Sequence, residues 1–355
     1  MFHEKRKFYS IRVIFCALIL LCAGFVSAQT PPKPTHPAPP SKPKPETKVT
    51  PTPRKPVWTT GRQVRNESPM PAEKTLAVDA KINIKLCVSA GRVKVTGWDR
   101  DEVRAFVSEG SQVGFITMQK NRETEKPVWI KVLGYDPTKK NIARPDECLS
   151  GNEIELDVPR NAVVDIESRE SEAIIEAVGK VRVKNISGDI FLHDIAQGIE
   201  ATAYEGNVMV ERSSGAMSLS TTTGNIVALD VSPSEIGDIF KAKTNNGSVA
   251  LQTVNHRQLD VGSISGTLRF SGAFLNGGQY NFRTQNGSIM LLIPPQSSCR
   301  VNATYGLGTF DSEIPLQDVV KPQGTRVQNL SGVLGKGEST LNLTTSSGTI
   351  QIRKQ

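Results

Sequence analysis

Glycine recurs through the second half of this chain at nearly fixed spacing, and that recurrence limits the fold more than any other feature. Gly179, Gly188, Gly198, Gly206, Gly215 and Gly224 are separated by 9, 10, 8, 9 and 9 residues. Most are followed by one phrase, Gly-x-apolar-x-apolar, as in Gly179-Lys-Val181-Arg-Val183, Gly188-Asp-Ile190-Phe-Leu192, Gly206-Asn-Val208-Met-Val210 and Gly215-Ala-Met217-Ser-Leu219. Alternation at period two describes a strand with one buried face. The glycine before it tolerates the positive φ of a tight turn. Polar turn formers precede it, as in Ile186-Ser187-Gly188 and Thr222-Thr223-Gly224.

The register is tighter at 18 residues than at nine. Ile190, Val208 and Ile226 are 18 apart, as are Val181, Ile199 and Met217, and Val183, Ala201 and Leu219. If one coil takes 18 residues, each series becomes a column of stacked apolar side chains, with strands about 4.8 Å apart. Asp189, Asn207 and Asn225 would then form a polar column at the turn, the candidate ligand face. Downstream, Asn246-Gly247, Ser265-Gly266, Asn286-Gly287 and Ser347-Gly348 each open the same phrase at longer spacing, so these coils are larger or carry loops. Loops are expected at Asp230–Asp238, Pro294–Ser298 and Glu313–Gly324. The sequence therefore predicts an all-β, β-helix-like solenoid of about 18–23 residues per coil. A calcium β-roll needs Gly-Gly-x-Gly-x-Asp turns, which are missing. A β-sandwich also suits short, regularly spaced strands, but fixed columns favour the solenoid.

The run from Val93-Lys-Val95-Thr96-Gly97-Trp98-Asp99, through Leu156-Asp157-Val158-Pro159 and the Ser/Thr/Asn-x-Gly turns, to Ser347-Gly348-Thr-Ile350 resembles the bacterial putative adhesin domain family over roughly residues 75–355. The resemblance implies an exported β-helical envelope protein. It carries over no catalytic or binding residue, because the family defines none.

The rest of the chain fits export. Lys5, Arg6, Lys7 and Arg12 precede the apolar run Val13–Val26 and the small residues Ser27 and Ala28, so residues 1–28 read as a signal peptide. Residues 29–60 contain eleven prolines among six Lys/Arg and predict an extended linker. Residues 61–74 form a junction, 75–175 a less regular β cap, and 176–355 the repeat solenoid, continuous with the cap. Export implies periplasm, cell surface or extracellular space. Of the cysteines outside the signal, Cys87, Cys148 and Cys299, one disulfide with one thiol left over is the simplest reading. A Cys87–Cys148 bond would staple the cap, although spacing alone does not fix the pairing.

Chemistry is sparse. The first 60 residues hold ten Lys/Arg and two Asp/Glu, which is the whole of the +8 net charge. The body is neutral and aromatics are 6%, so nucleic acid is not an expected partner. No metal, cofactor or catalytic residue is expected. His193 and His256 read as loop residues, and Gly262-Ser263-Ile264-Ser265-Gly266 lacks the central serine of a nucleophile elbow. Asp189, Asp194, Glu200, Glu205 and Glu211 could host glycoside chemistry only if two of them faced a cleft, and a solvated acidic flank is the plainer reading. Trp98, Trp129 and Tyr135 are the aromatics most able to stack on sugar, although core packing or capping is the plainer use of each. The expectation is a non-catalytic adhesin-like protein that binds a polysaccharide, surface or envelope protein, with self-association open. A tethered structural scaffold is the second reading, and a carbohydrate-active lyase or hydrolase the third.

Overall fold

A computed structural model describes residues 72–119, 126–135, 147–322 and 327–355. The expected signal, the linker and residues 61–71 of the junction lie outside the described residues. Among the described residues there are 26 strands and no helix. No helix there is long and apolar enough to cross a membrane.

Each coil lays down a longer strand, turns at a glycine, and lays down a shorter one. Lys180–Ser187 is followed by Ile190–His193, Ile199–Glu205 by Val208–Glu211, and Met217–Thr223 by Ile226–Val231. The longer strands pair in parallel with one another to build one side of the stack, and the shorter strands build the other. Asn83–Trp98 belongs to both sides, pairing with Val163–Glu170 and with Ala173–Glu176. Regular parallel stacking thus begins upstream of residue 176.

The columns follow from the pairing register. Ile190, Val208 and Ile226 stack directly, as do Val181, Ile199 and Met217. These side chains are buried, with the exposed residues of the same strands alternating outward. Beyond Ile226 the next partners are Val249, Leu268 and Ile289, so the offset widens to 23, 19 and 21. The interior changes with it. The narrow coils are filled by Val, Ile, Met, Leu and small residues such as Ala201, Ala203 and Ala228, whereas the wider ones bury Phe240, Phe270, Tyr280 and Phe282. Phe270 packs edge-on against Phe282 with centroids 5.7 Å apart.

The glycine corner is a requirement of close approach. At Gly224 (φ +148°) and Gly247 (φ +155°) the backbone is left-handed or extended beyond what side chains favour. A Cβ there would also overlap the carbonyl oxygen of the glycine one coil back, Gly206 and Gly224 respectively. The same overlap continues along Gly266, Gly287, Gly348 and Gly308.

Both ends of the stack depart from chain order. Ser339–Ser347 inserts between Gln279–Asn286 and Cys299–Leu307, so the last coil in sequence is not the last in space. Antiparallel strands Gln328–Leu334 and Gln317–Val320 then close that end. At the other end Asn83–Trp98 lies between the Val163 coil and the strands Trp129–Tyr135 and Leu149–Pro159. Gln112–Met118 and Glu102–Ser108 pair antiparallel with those two strands, and Ala72–Ala77 pairs antiparallel with Glu102–Ser108. Cys87 and Cys148 are joined by a disulfide with Cα atoms 4.6 Å apart, linking the Asn83–Trp98 strand to the segment that enters Leu149–Pro159. Of the expected loops, Asp230 and Val231 instead finish a strand, and Gln317–Val320 forms one.

Candidate binding faces

The polar column Asp189, Asn207 and Asn225 stacks as its spacing implies, and much of its hydrogen-bonding capacity is used by the stack. Asp189 Oδ1 accepts from the Asn207 backbone N–H (2.7 Å) and from its Nδ2 (3.1 Å). Asn207 Oδ1 accepts from the Asn225 N–H (2.9 Å) and Nδ2 (3.2 Å), and Asn225 Oδ1 from the Ser248 N–H (2.9 Å). Each side chain therefore satisfies a turn amide of the next coil, where no strand partner is available.

A second polar column lies inside the same corner. The Thr221, Thr244, Ser263, Thr284 and Thr345 hydroxyls donate to the carbonyls of Gly206, Gly224, Gly247, Gly266 and Gly287 at 2.9–3.2 Å. All five residues are buried. Asn185 does the same work with its amide, donating to Ser171 O and Gly188 O. Sequence reasoning missed this column, although its signal is present: each of these residues stands three positions before a corner glycine.

The outer face of the longer strands carries the strongest candidate recess. Asn83, Lys85, Trp129, Asp165, Lys180, Arg182 and Glu200 surround a hollow of about 280 Å³. Asn83 pairs with Trp129 and Val163, and Val163 with Lys180, which sets the tryptophan beside a row of charged side chains. Arg182 Nε donates to Glu200 (2.8 Å) and its Nη1 lies 4.0 Å from Asp165. The Glu200 hydrogen bond and charge, then the Asp165 charge, raise the guanidinium above its ordinary value. Trp129 supplies an apolar plate and its neighbours supply donors and acceptors. A polyhydroxylated ligand needs both. Farther along, Asn342 donates to Asn281 (2.8 Å) and Asn302 to Asn342 (3.0 Å), a further amide ladder on the same face.

The remaining sequence candidates resolve differently. Trp98 Nε1 donates to Glu102 O (2.8 Å) and Arg100 lies over its ring, so this side chain pins a strand turn. The Tyr135 side chain lies outside the described residues. His193 ends a strand, with Nδ1 3.1 Å from Asp194. Asp194, Glu200 and Glu211 are engaged by Arg212, Arg182 and Arg212. His256 lies between strands but is fully buried, its Nε2 2.9 Å from Gly215 O. Facing a carbonyl, that nitrogen carries the proton. Burial lowers the His256 pKa, against the raising effects of the Gly215 bond and Asp238. Cys299 is a free, buried thiol pushed up to about 12 by desolvation, which makes it a core residue and a poor nucleophile. No group of three or more His, Cys, Asp or Glu suited to a metal occurs among the described residues.

Fold and faces together define an all-β protein of stacked parallel strands whose longer strands present a polar outer face. The family model described as Toastrack DUF4097 matches residues 83–353, and the chain belongs to that family. No curated protein matches the chain. Among solved structures it is similar to a "putative adhesin" from Parabacteroides merdae, at 9% identity over 79% of this chain and 95% of that one, with a TM-score of 0.37. A "putative adhesin" from Parabacteroides distasonis shares 10% identity over 79% and 96%, with a TM-score of 0.33. A "putative lipid binding protein" from the same species shares 10% identity over 80% and 96%, with a TM-score of 0.34.

Proposed function

We propose that this protein is a non-catalytic, exported adhesin-like module that binds a polysaccharide or another envelope or surface partner through the outer face of its longer strands. The carrying observation is the Trp129 recess, an aromatic plate set among Asn83, Lys85, Lys180, Arg182 and two carboxylates on an otherwise regular polar face. Parallel strands repeat the face about every 4.8 Å, so a polymer meets similar groups along its length. The coil stack of about 18 to 23 residues per turn provides rigidity, the Pro/Lys-rich residues 29–60 provide a tether, and the Cys87–Cys148 link suits an oxidising compartment. In this reading Asp189, Asn207 and Asn225 act mainly in stacking, with their unused polar atoms available at the rim.

The test is one incubation of purified protein with a panel of envelope and matrix polysaccharides, read for co-sedimentation and for new reducing or unsaturated ends. Binding without new ends is the expected result. New ends would replace the proposal with an enzyme. Neither binding nor new ends would leave the tethered scaffold.

A further inference from the structure

The outer face of the shorter strands is built unlike that of the longer ones. Its first outward row runs Ile174, Phe191, Met209, Val227 and Ala250 on successive paired strands, then Arg269 and Met290. The apolar members are half-buried. Solvent-facing strand positions are ordinarily polar, and a contiguous apolar stripe marks a contact surface. At Ala250 the small side chain opens a groove of about 270 Å³, walled by Leu229, Met290 and Leu292 with Arg269 at its lip. Arg269 is exposed and makes no hydrogen bond or ion pair with any described residue. Arg353, farther along the same sheet, is held by Asp311 at 2.8 Å.

The dimensions select the occupant. The second outward row carries Glu176, His193 and Glu211 before Leu229, Gln252 and Ser271, so the apolar track is one side-chain row wide and its area, on the order of 200 Å², is far below the roughly 800 Å² per partner of a stable protein interface. From Arg269 to Ile174 is five strand spacings, about 24 Å. With C–C bonds of about 1.5 Å, an extended alkyl chain advances about 1.25 Å per carbon and covers most of that distance in about sixteen to eighteen carbons. An unpaired guanidinium at one end of an apolar track complements an anionic head on a single chain.

We propose that this face binds one long-chain anionic lipid molecule, with its carboxylate on Arg269 and its alkyl chain over Ala250, Val227, Met209 and Phe191. The site is separate from the Trp129 recess and stands or falls independently of it.

Titration of the full-length protein with sodium palmitate below its micelle concentration, followed by calorimetry, tests this. Saturable 1:1 binding is expected, with octanoate at least tenfold weaker. Arg269→Glu should weaken palmitate at least tenfold while Arg269→Lys stays within about threefold, and Met209→Asp should abolish binding. Arg269 is exposed, so its variants keep the wild-type circular dichroism and a loss of affinity reports the site. No saturation by folded wild type, or equal affinity for Arg269→Glu, overturns the proposal. Sedimentation with phosphatidylglycerol vesicles in the absence of palmitate binding also overturns it, and would assign the face to a bilayer surface.

Discussion

The narrow coils between Lys180 and Leu229 and the wide coils between Ile239 and Ile293 solve the same corner with different interiors. Both use a glycine whose missing Cβ leaves room for the carbonyl of the neighbouring coil. The narrow coils close around aliphatic and alanine side chains, whereas the wide ones need Phe240, Phe270, Tyr280 and Phe282 to fill the added space. Corner geometry is therefore the invariant of this stack, and coil circumference is adjustable, provided interior volume follows it.

The comparison breaks most visibly at the shared corner. Gly247→Val places a branched side chain into the Gly224 carbonyl, and a loss of about 3 kcal/mol or more, or failure to fold, is expected in urea melts. Phe282→Ala empties a wide coil and should cost about 3–5 kcal/mol in the same assay. The converse change, Ala201→Phe, overfills a narrow coil and should destabilise by about 1–3 kcal/mol. Wild-type stability in Ala201→Phe would mean that circumference does not set interior size. Thr244→Val leaves the Gly224 carbonyl without its hydroxyl donor, for an expected loss of about 1–3 kcal/mol.

A smaller effect, in pH dependence, belongs to His256, which packs beside Phe240 with ring centroids 5.7 Å apart. Its folded pKa lies below the unfolded value of about 6.5, so the unfolded chain binds the extra proton. Stability from this residue is complete above that pH and declines as pH falls below it. His256→Phe should flatten that part of the stability profile.

The legible part of the fold was whatever the local phrase encodes. Ile190, Val208 and Ile226 could be placed in one column because coils of equal length carry register in the numbering itself. The inner hydroxyl column was written at a fixed distance before each glycine, but Thr and Ser are also what turns use, so composition masked it. The position of Ser339–Ser347 between Gln279–Asn286 and Cys299–Leu307 could not be read, because Gly348 opens the same phrase wherever its coil is inserted. The apolar outer row was hidden for a related reason. Runs such as Ile226-Val227-Ala228-Leu229 alternate between two faces, and period two names one buried face without saying that the other is also apolar. For the candidate site, Trp129 stood in the sequence only as one of three aromatics able to stack on sugar, with core packing or capping the plainer use, and its meeting with Lys180, Arg182 and Glu200 depends on the pairing of Asn83 with both Trp129 and Val163.

On the proposed reading the longer-strand face binds while the corner column holds the coils together. This division is tested most directly by comparing Trp129→Ala with Asn207→Ala in co-sedimentation with the polysaccharide retained by wild type, alongside urea melts of both. Trp129→Ala is expected to lower affinity at least tenfold with little change in stability, and Asn207→Ala to keep its affinity but lose about 1 kcal/mol of stability. The reverse pattern, with affinity lost at Asn207 and retained at Trp129, would contradict this reading.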